Sequence, residues 1–480
     1  MGGGTHGSCS MSELQRIDET LWEIPATARE DMRVPARVFA DEELLGAIRS
    51  DASLEQLQNV ATLPGIVGAA YAMPDIHQGY GFPVGGLAAV ELPDGVVSPG
   101  GVGYDINCGV RLLALPLTAD ELGDRREALV HEISRAVPAG AGKDGATRWR
   151  GKLDEVLRDG SRVVAERQDD VERTESEGRL AGADAAVVSE RARERGGGQL
   201  GTMGSGNHFV ELQSVAQLFD GDTAGAFGLR EGQLTVLIHS GSRGLGHQVC
   251  SDYVKRMDAV LGRYGINLPD RQLSCAPASS PEGRDYLAAM AGAANFAWAN
   301  RQEIANRVRG AVRAVLGPET AEATQQVYDV AHNVAKIERY DGRELLVHRK
   351  GATRAFPAGS DEIPAAYAAV GQPVFIPGSM GTSSFVLAGE PGAMERSFGT
   401  TCHGAGRRMS RTGARKEIHG ADLRRQLEQQ GIVVRSPSNK GLAEEAPFAY
   451  KDVERVVEVV ERAGLARRVA QLVPIGVVKG

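Results

Sequence analysis

Between residues 200 and 406 one local pattern keeps returning. An apolar run ends in a His or an Asn, and glycines or small polar residues follow. Residues 200–211 carry Asn207 and His208, and residues 234–239 end on His239 before Ser240, Gly241 and Ser242. Residues 327–332 end on His332, with Asn333 next, and residues 345–348 end on His348, with Arg349, Lys350 and Gly351 next. Residues 373–377 lead into the small-residue loop 378–384, and residues 397–403 end on His403 before Gly404, Ala405 and Gly406. Such runs read as strands bounded by loops. Strand ends on one edge of a sheet converge on one place. The pattern therefore predicts an α+β chain: a single large mixed α/β domain, β-sheets flanked by helices, with its site at the strand ends.

The core of such a chain must come from Val, Leu, Ile and Ala, because aromatics make up only 5% of its 480 residues. The net charge of −8 excludes a protein that coats nucleic acid by charge alone, while leaving room for a local basic patch. Cys9, Cys108, Cys250, Cys275 and Cys402 lie far apart, which speaks against a disulfide framework and for a reducing compartment. The first ten residues lack the apolar core of a signal peptide, and His6 breaks the myristoylation pattern. No apolar run approaches a membrane span. The expected location is the cytoplasm.

Along the chain, residues 1–15 read as a disordered tail and 16–480 as one domain. Short strands are expected at 22–25 and 34–39, and helices with N-cap residues at 41–49 and 53–62. Residues 73–86 hold too many Gly and Pro for a regular element and read as a shaped loop carrying Asp75, His77 and Gln78. Strands follow at 87–92 and 111–117. Residues 120–195 are charged and Ala-rich, a helical insertion whose charges form a solvated face. A long helix spans roughly 284–316. Ile304, Val308, Val312 and Leu316 recur every four residues on it, with Arg301, Arg307, Arg309 and Arg313 off that line. Those arginines are either a solvated face or a basic wall for an anionic polymer. Further helices are expected at 417–430 and 450–463. The apolar tail 473–480 reads as docked into the body.

Between the strands at 87–92 and 111–117 lies Gly103-Tyr-Asp-Ile-Asn-Cys-Gly109, a turn that sets Asp105 and Cys108 three residues apart. A carboxylate and a thiolate so placed can bind a divalent metal. His208, His239 and His332 raise the set to five donors of mixed N, O and S type. Five exceed what one tetrahedral site with an open position uses. They suit two metals about 3.5–4 Å apart if one ligand bridges, and the thiolate of Cys108 is the natural bridge. The donor types favour Mn²⁺ or Zn²⁺ over Ca²⁺ or Mg²⁺. Residues 377–384 and 403–408 can offer backbone N–H groups and hydroxyls to phosphates, although neither matches a Walker or dinucleotide fingerprint. His403, followed by Gly404, Gly406, Arg407 and Arg408, can attack a phosphorus atom and hold it covalently, or it is simply a turn histidine.

Met73-Pro-Asp-Ile-His-Gln-Gly79, Gly103-Tyr-Asp-Ile-Asn-Cys-Gly-Val110, Gly206-Asn-His-Phe-Val-Glu211, His239-Ser-Gly-Ser-Arg-Gly244, Ala331-His-Asn333, Pro377-Gly-Ser-Met-Gly-Thr382 and Cys402-His-Gly-Ala-Gly-Arg407 resemble, in order, the signature segments of the RtcB family of RNA-splicing ligases. The resemblance runs from about residue 73 to the C-terminus. It implies a GTP-dependent and Mn²⁺-dependent enzyme that joins RNA 2′,3′-cyclic-phosphate or 3′-phosphate ends to 5′-hydroxyl ends, in tRNA splicing or RNA repair. His403 would be the nucleophile that takes GMP. Asp105, Cys108, His208, His239 and His332 would hold two Mn²⁺. Asn207, His208, Phe209, Val210, Glu211, His332, Asn333, Pro377, Gly378, Ser379, Met380, Ser384, His403, Gly404, Ala405, Gly406, Tyr450 and Lys479 would surround GTP.

RNA would lie along Asp75, His77, Arg243, Arg349, Lys350, Arg354, Arg407, Arg408 and Arg411. The expected partners are tRNA halves or broken RNA ends and an activating protein of the archease type, with the chain itself a monomer. A dimetal phosphoesterase acting on RNA ends would need the same metal donors but neither His403 nor GTP. A non-catalytic RNA-binding protein with a structural metal would show a closed ligand set.

Overall fold

The computed structural model of the chain describes residues 14–140, 145 and 147–480. Two large sheets dominate it. The first has seven strands, in the order Gln15–Arg16, Leu21–Ile24, Ala36–Phe39, Ile66–His77, Val84–Glu91, Arg343–Lys350 and Asn333–Tyr340. The second has eight: Gln325–Ala331, Gly109–Thr118, Gln233–Ser240, Phe209–Leu218, Ala466–Lys479, Ser384–Gly389 and Pro373–Ile376, with Val433–Arg435 pairing alongside Ala466–Lys479. A short ribbon joins Ala352–Arg354 to Thr400–Cys402. The mixture of sheets and helices is the α+β class expected.

The strands are apolar because both faces are covered. Gln233–Ser240 and Pro373–Ile376 are buried at every position, as expected of strands enclosed on two sides. Helix Pro281–Leu316 begins with Ser280 accepting from the N–H of Gly283 and with proline at its first position, both favourable at a helix start. It runs past both the sheet and the helical block at 120–195, and its buried residues lie on all sides.

Several expectations change here. Residues 73–77 are not loop: they complete the strand Ile66–His77, which pairs with Val84–Glu91 at Ala72 and again at His77 across an irregularity in register between them. Only 78–83 lie outside the two strands, held by Gln56 at Gly79 and by Gln272 at Gly81. The tail expected at 1–15 falls largely outside the described residues, but Gln15 and Arg16 pair with Glu23 and Trp22. The helix expected at 53–62 takes no side-chain cap from Ser53, and that expected at 417–430 is Gly420–Gln429, preceded by a separate helix, Arg411–Glu417, that the sequence reading did not foresee. The tail at 473–480 belongs to the strand Ala466–Lys479, flanked by neighbours on both sides.

Among the described residues the charged block at 120–195 is mostly short helices, yet its charges are not all solvated. Asp170 is fully buried and accepts from Arg309 at 2.5 and 2.7 Å and from Gln302 at 2.8 Å. Glu175, also buried, pairs with Lys336 and receives the N–H of Ala331. Arg301 likewise is buried, with Asp329 at 2.8 Å. Neither reading of these arginines as a solvated face or a basic wall therefore holds for Arg301 and Arg309. Helical spacing cannot show that carboxylates remote in sequence lie opposite. Removing one partner of a buried ion pair leaves an uncompensated charge, which costs about 3–5 kcal/mol. Asp170→Ala should lose that much stability, seen as a lower urea midpoint at unchanged slope. Among the described residues no helix is long and apolar enough to cross a membrane.

Candidate active site

The Asp105–Cys108 turn is held from behind. Asn107 takes a positive φ of 52°, a conformation asparagine tolerates better than most residues. Its carbonyl and side-chain oxygens accept from Arg301 at 2.7 and 3.0 Å, and its amide donates to the carbonyl of Ala294 at 2.7 Å. The buried arginine that helical spacing placed on a free face is thus the clamp of this turn. Gly103 has φ +92°, and a Cβ on Gly241 would lie 2.3 Å from the Asp105 carboxylate, so both positions require glycine.

Four adjacent strands bring the remaining donors to this turn. Cys108 precedes Gly109–Thr118; His239 lies at the end of its antiparallel neighbour Gln233–Ser240; His208 precedes the next antiparallel strand, Phe209–Leu218. His332 is the single residue between Ala331, which ends an edge strand of the second sheet, and Asn333, which opens an edge strand of the first. His208 therefore sits at a strand start, not the strand end read from sequence. Antiparallel pairing puts starts and ends on the same edge.

The donors form two overlapping triads, Asp105–Cys108–His208 and Cys108–His239–His332, each with its ligand atoms within 4.8 Å of one another. Cys108 belongs to both. Its Sγ lies 3.3 Å from Nε2 of His208 and 3.3 Å from Nε2 of His239, whose Nε2 is 3.4 Å from Nε2 of His332. Nε2 of His208 lies 2.8 Å from Asp105. Nδ1 of His208 lies 3.1 Å from the carbonyl of Met203, which can only accept, so Nδ1 carries a proton, and a cation in the triad would take the place of any proton on Nε2. Burial, together with neighbouring imidazoles, keeps His239 and His332 well below the ordinary histidine range, hence neutral. Burial and the Asp105 charge push the Cys108 thiol up. Burial opposes ionisation of Asp105, but His208 and Arg243 outweigh it and hold the carboxyl at about 2. Neutral imidazoles, an ionised carboxylate and a thiol that a cation would deprotonate fit divalent metal.

His403 follows the strand Thr400–Cys402, and its ring centroid lies 4.8 Å from that of His332. Its Nδ1 donates to Oδ2 of Asp75 at 2.5 Å, and its own N–H and that of Gly404 reach the same oxygen at 3.1 and 3.2 Å. Asp75 is fully buried; burial would raise its carboxyl, but its interaction with His403, including the hydrogen bonds from the ring and main chain, and the Lys451 charge hold it below the usual range. Gly406 has φ +73°, and a Cβ there would lie 2.1 Å from the Asp75 carbonyl. The bond on Nδ1 leaves Nε2 of His403 as the ring nitrogen with an available lone pair. Asp75, read from sequence as an RNA contact, is instead the group that orients His403. His77 lines the same cavity, its Nδ1 2.9 Å from the Asp75 carbonyl.

A cavity of about 270 Å³ joins these groups. Asn207, Phe209, Asn333, Tyr450 and Lys479 line it, as do the loops 377–380 and 403–407. Val210, Glu211 and Ser384 lie behind the lining. Glu211 accepts from Gln213 at 2.8 Å, Gln213 donates also to Ser384 at 3.0 Å, and Ser384 receives the N–H of Gly378 at 3.2 Å. Burial pushes the Glu211 carboxyl up to about 8 and the Lys479 ammonium down to about 8. Lys479 donates to the carbonyl of His208 at 3.0 Å.

The basic residues divide. Arg349 and Arg354 are only 1% exposed: Arg349 is locked to Glu338 and Arg354 to Glu362. Neither reaches a surface strand of RNA, and the reason is the same remote carboxylate pairing as at Arg301. Lys350 lines the cavity with its ammonium on the carbonyls of Tyr80, Phe82 and Gly100. Arg243 is half-buried beside Thr202 and Gly140. Arg407 and Arg411 line the cavity, and Arg408 is exposed. Sequence reading missed Glu445, a buried carboxylate bridging Arg407, Arg411 and Tyr450. It also missed Lys451, whose ammonium braces the carbonyls of Pro74 and Ile76. No motif marks either residue.

The model of the RtcB family, described as tRNA-splicing ligase RtcB, matches residues 56–480. The chain is 51% identical over 481 residues to the tRNA-splicing ligase RtcB of Thermococcus kodakarensis, covering 98% of this chain and 99% of that protein. It is 51% identical to the protein of the same name from Archaeoglobus fulgidus, over 97% of this chain and 99% of the relative. The RNA-splicing ligase RtcB of Mycobacterium tuberculosis is 53% identical over 437 residues, 88% of this chain and 100% of its own length. With a family model matched over most of its length and relatives at this identity, the chain belongs to the RtcB family.

Proposed function

We propose that this chain is a GTP-dependent RNA ligase that joins 2′,3′-cyclic-phosphate or 3′-phosphate RNA ends to 5′-hydroxyl ends through a covalent His403–GMP intermediate. The observation that carries this reading is His403 itself. Its Nδ1 is tied to a buried carboxylate, its ring packs against a proposed metal-binding histidine, and it lines the same cavity as the loop 377–380. Nε2 of His403 would attack the α-phosphorus of the substrate GTP. The N–P bond forms as the P–O bond to the β-phosphate breaks, and pyrophosphate leaves. Asp75 would stabilise the positive imidazolium that develops. A 3′-phosphate has no leaving group of its own, so GMP passed from His403 to that phosphate would give the 5′-hydroxyl something to displace.

Two Mn²⁺, held by the two triads with Cys108 shared, would offset charge on the phosphate oxygens. The loops 377–380 and 403–406 would add backbone N–H groups. The reading includes tRNA halves or broken RNA ends as substrate, an archease-type activating partner, and a monomeric cytoplasmic enzyme.

The test is ligation of a 3′-phosphate RNA to a 5′-hydroxyl RNA, with GTP and Mn²⁺ each present or withheld. Joined product only when both are present supports the reading. Loss of the 3′-phosphate without joining, independent of GTP, would point to a dimetal phosphoesterase.

Base selection supplies a further expectation. Glu211, behind the lining, would have to ionise as guanine binds to accept from its N1–H and N2–H₂, and Lys479, which lines the cavity, can donate to its carbonyl oxygen, where adenine carries an amino group. Lys479 pairs with Phe209 within a sheet, and a Cβ on Gly480 would lie 1.9 Å from the Gly204 carbonyl, so truncation would disturb packing. Substitution is the cleaner probe. A hydrogen bond from a charged donor is worth about 1.5–3 kcal/mol. Lys479→Met should therefore slow guanylylation by about 10- to 100-fold, with GTP-over-ATP preference falling in parallel. Unchanged nucleotide preference would remove Lys479 from base recognition.

A further inference from the structure

We infer that the surface built by residues 407–440 carries the single-stranded RNA that leads away from the cavity. The inference rests on the ligase reading and adds to it the path of the strand. Residues 407–440 contain nine Arg or Lys against three Asp or Glu, a net of +6. The whole chain is −8, so the remainder is −14. Positive charge is thus gathered in one stretch that begins at the catalytic loop.

The geometry makes that stretch continuous with the site. Arg407 and Arg411 line the cavity. Helix Arg411–Glu417 leads outward from it, and helix Gly420–Gln429 follows directly. Arg415, Lys416, His419 and Arg425 border one shallow groove over these helices; Arg415, His419 and Lys440 border its neighbour.

Arg411 and Arg415 are four residues apart on one helix. Like charges at that spacing destabilise a helix by a few tenths of a kcal/mol. Two carboxylates from beneath offset it: Glu445 on Arg411 at 2.9 Å and Glu444 on Arg415 at 3.4 Å. The outer cations are left over. Among the described residues, Lys416, His419 and Lys440 have no carboxylate partner, and all three are exposed. Arg425 pairs only with Asp422, three residues before it on the same helix and itself half-exposed, a contact worth little.

The chemistry of these grooves fits phosphates more than bases. Their apolar lining is confined to Ile418, Ala421 and Ala443; Asp422 and Glu417 also line them, and no Phe, Tyr or Trp is present, so the His419 imidazole is the one ring there on which a base could stack. Recognition there would be independent of sequence and strongly dependent on salt.

The experiment compares the full chain with a Lys416→Glu, Arg425→Glu, Lys440→Glu variant, using single-stranded 3′-phosphate RNAs from a few to some twenty nucleotides long. Each phosphate contact to a single strand contributes about 0.7 to the slope of log affinity against log salt. The variant should lose about 2 from that slope on long RNA. Short RNAs should bind as before, and GMP loading from GTP should be unchanged. Charge-retaining Lys416→Arg, Arg425→Lys and Lys440→Arg should restore the slope. If the Glu variant unfolds, Lys416→Gln with Lys440→Gln should still lower the slope by about two-thirds as much. An unchanged slope on long RNA would overturn the inference, and would leave the patch to an acidic protein. Equal loss on short and long RNAs would overturn it too, since the effect would then lie in the cavity. Failure to load GMP in the unaltered chain would count against the ligase reading alone, because RNA affinity is read independently.

Discussion

His403→Ala should gain no GMP when the protein is incubated with GTP and Mn²⁺, whereas the unaltered chain should gain one GMP in its intact mass. The argument runs through the ring's two nitrogens. Nδ1 is committed to Asp75 at 2.5 Å, so only Nε2 can bond to phosphorus. The main chain adds to the constraint, because the N–H groups of His403 and Gly404 bind the same carboxylate oxygen and fix the turn as well as the ring. A second variant separates the nucleophile from its support. Asp75→Asn keeps the size of the group but turns an acceptor into a partial donor, which favours the tautomer with its proton on Nε2. In a serine protease the equivalent Asp→Asn change lowers the rate by about 10⁴. Here a loss of about 10²–10⁴ in the rate of guanylylation is expected, with the same final mass. Adduct formation by His403→Ala would refute the nucleophile. An Asp75→Asn rate within a few-fold of normal would leave Asp75 a purely structural buried carboxylate.

Asp75 also shows where sequence reading stops. Its partner His403 is 328 residues away, and nothing local distinguishes an aspartate that orients a histidine from one that faces solvent. His239 and His332 were legible as candidates because each closes an apolar run before small or polar residues, and Cys108 because it shares a glycine-flanked turn with Asp105. Strand direction was not, so His208 was placed at the wrong end of its strand although at the right edge of the sheet. The basic residues misled most. Arg301, Arg349 and Arg354 look free in sequence, and each is buried on a carboxylate that only folding brings near. Charge alone does not tell a ligand-facing arginine from one that braces a loop. Residues 73–77 misled differently: Pro74 and Gly79 suggest irregular chain, but Pro74 falls where the ladder with Val84–Glu91 is interrupted between Ala72 and His77, so the strand asks no N–H of it.

Cys108→Ala should lose both metal ions, while His332→Ala should lose mainly one. The two triads share one atom, the Cys108 sulfur, and nothing else. Without it, one ion would keep Asp105 and His208 and the other His239 and His332, two protein ligands each. Two ligands hold a divalent ion poorly compared with three. Removing His332 deprives only the second ion, and Asp105, Cys108 and His208 remain as a complete set. Both substitutions are in buried positions, so folding must be checked. Cys108 is 3% exposed and its loss to Ala removes a single sulfur, a change small enough for the surrounding sheet edges to keep their register. The measurement is metal content after equilibration with Mn²⁺ and removal of the free ion, read beside the melting temperature without metal. Expected values are two equivalents for the unaltered chain, near one for His332→Ala and near zero for Cys108→Ala, with similar metal-free melting temperatures. Two retained equivalents in Cys108→Ala would rule out the shared sulfur. One retained equivalent would mean that the thiolate belongs to a single ion, and that the second ion is held by groups outside these triads.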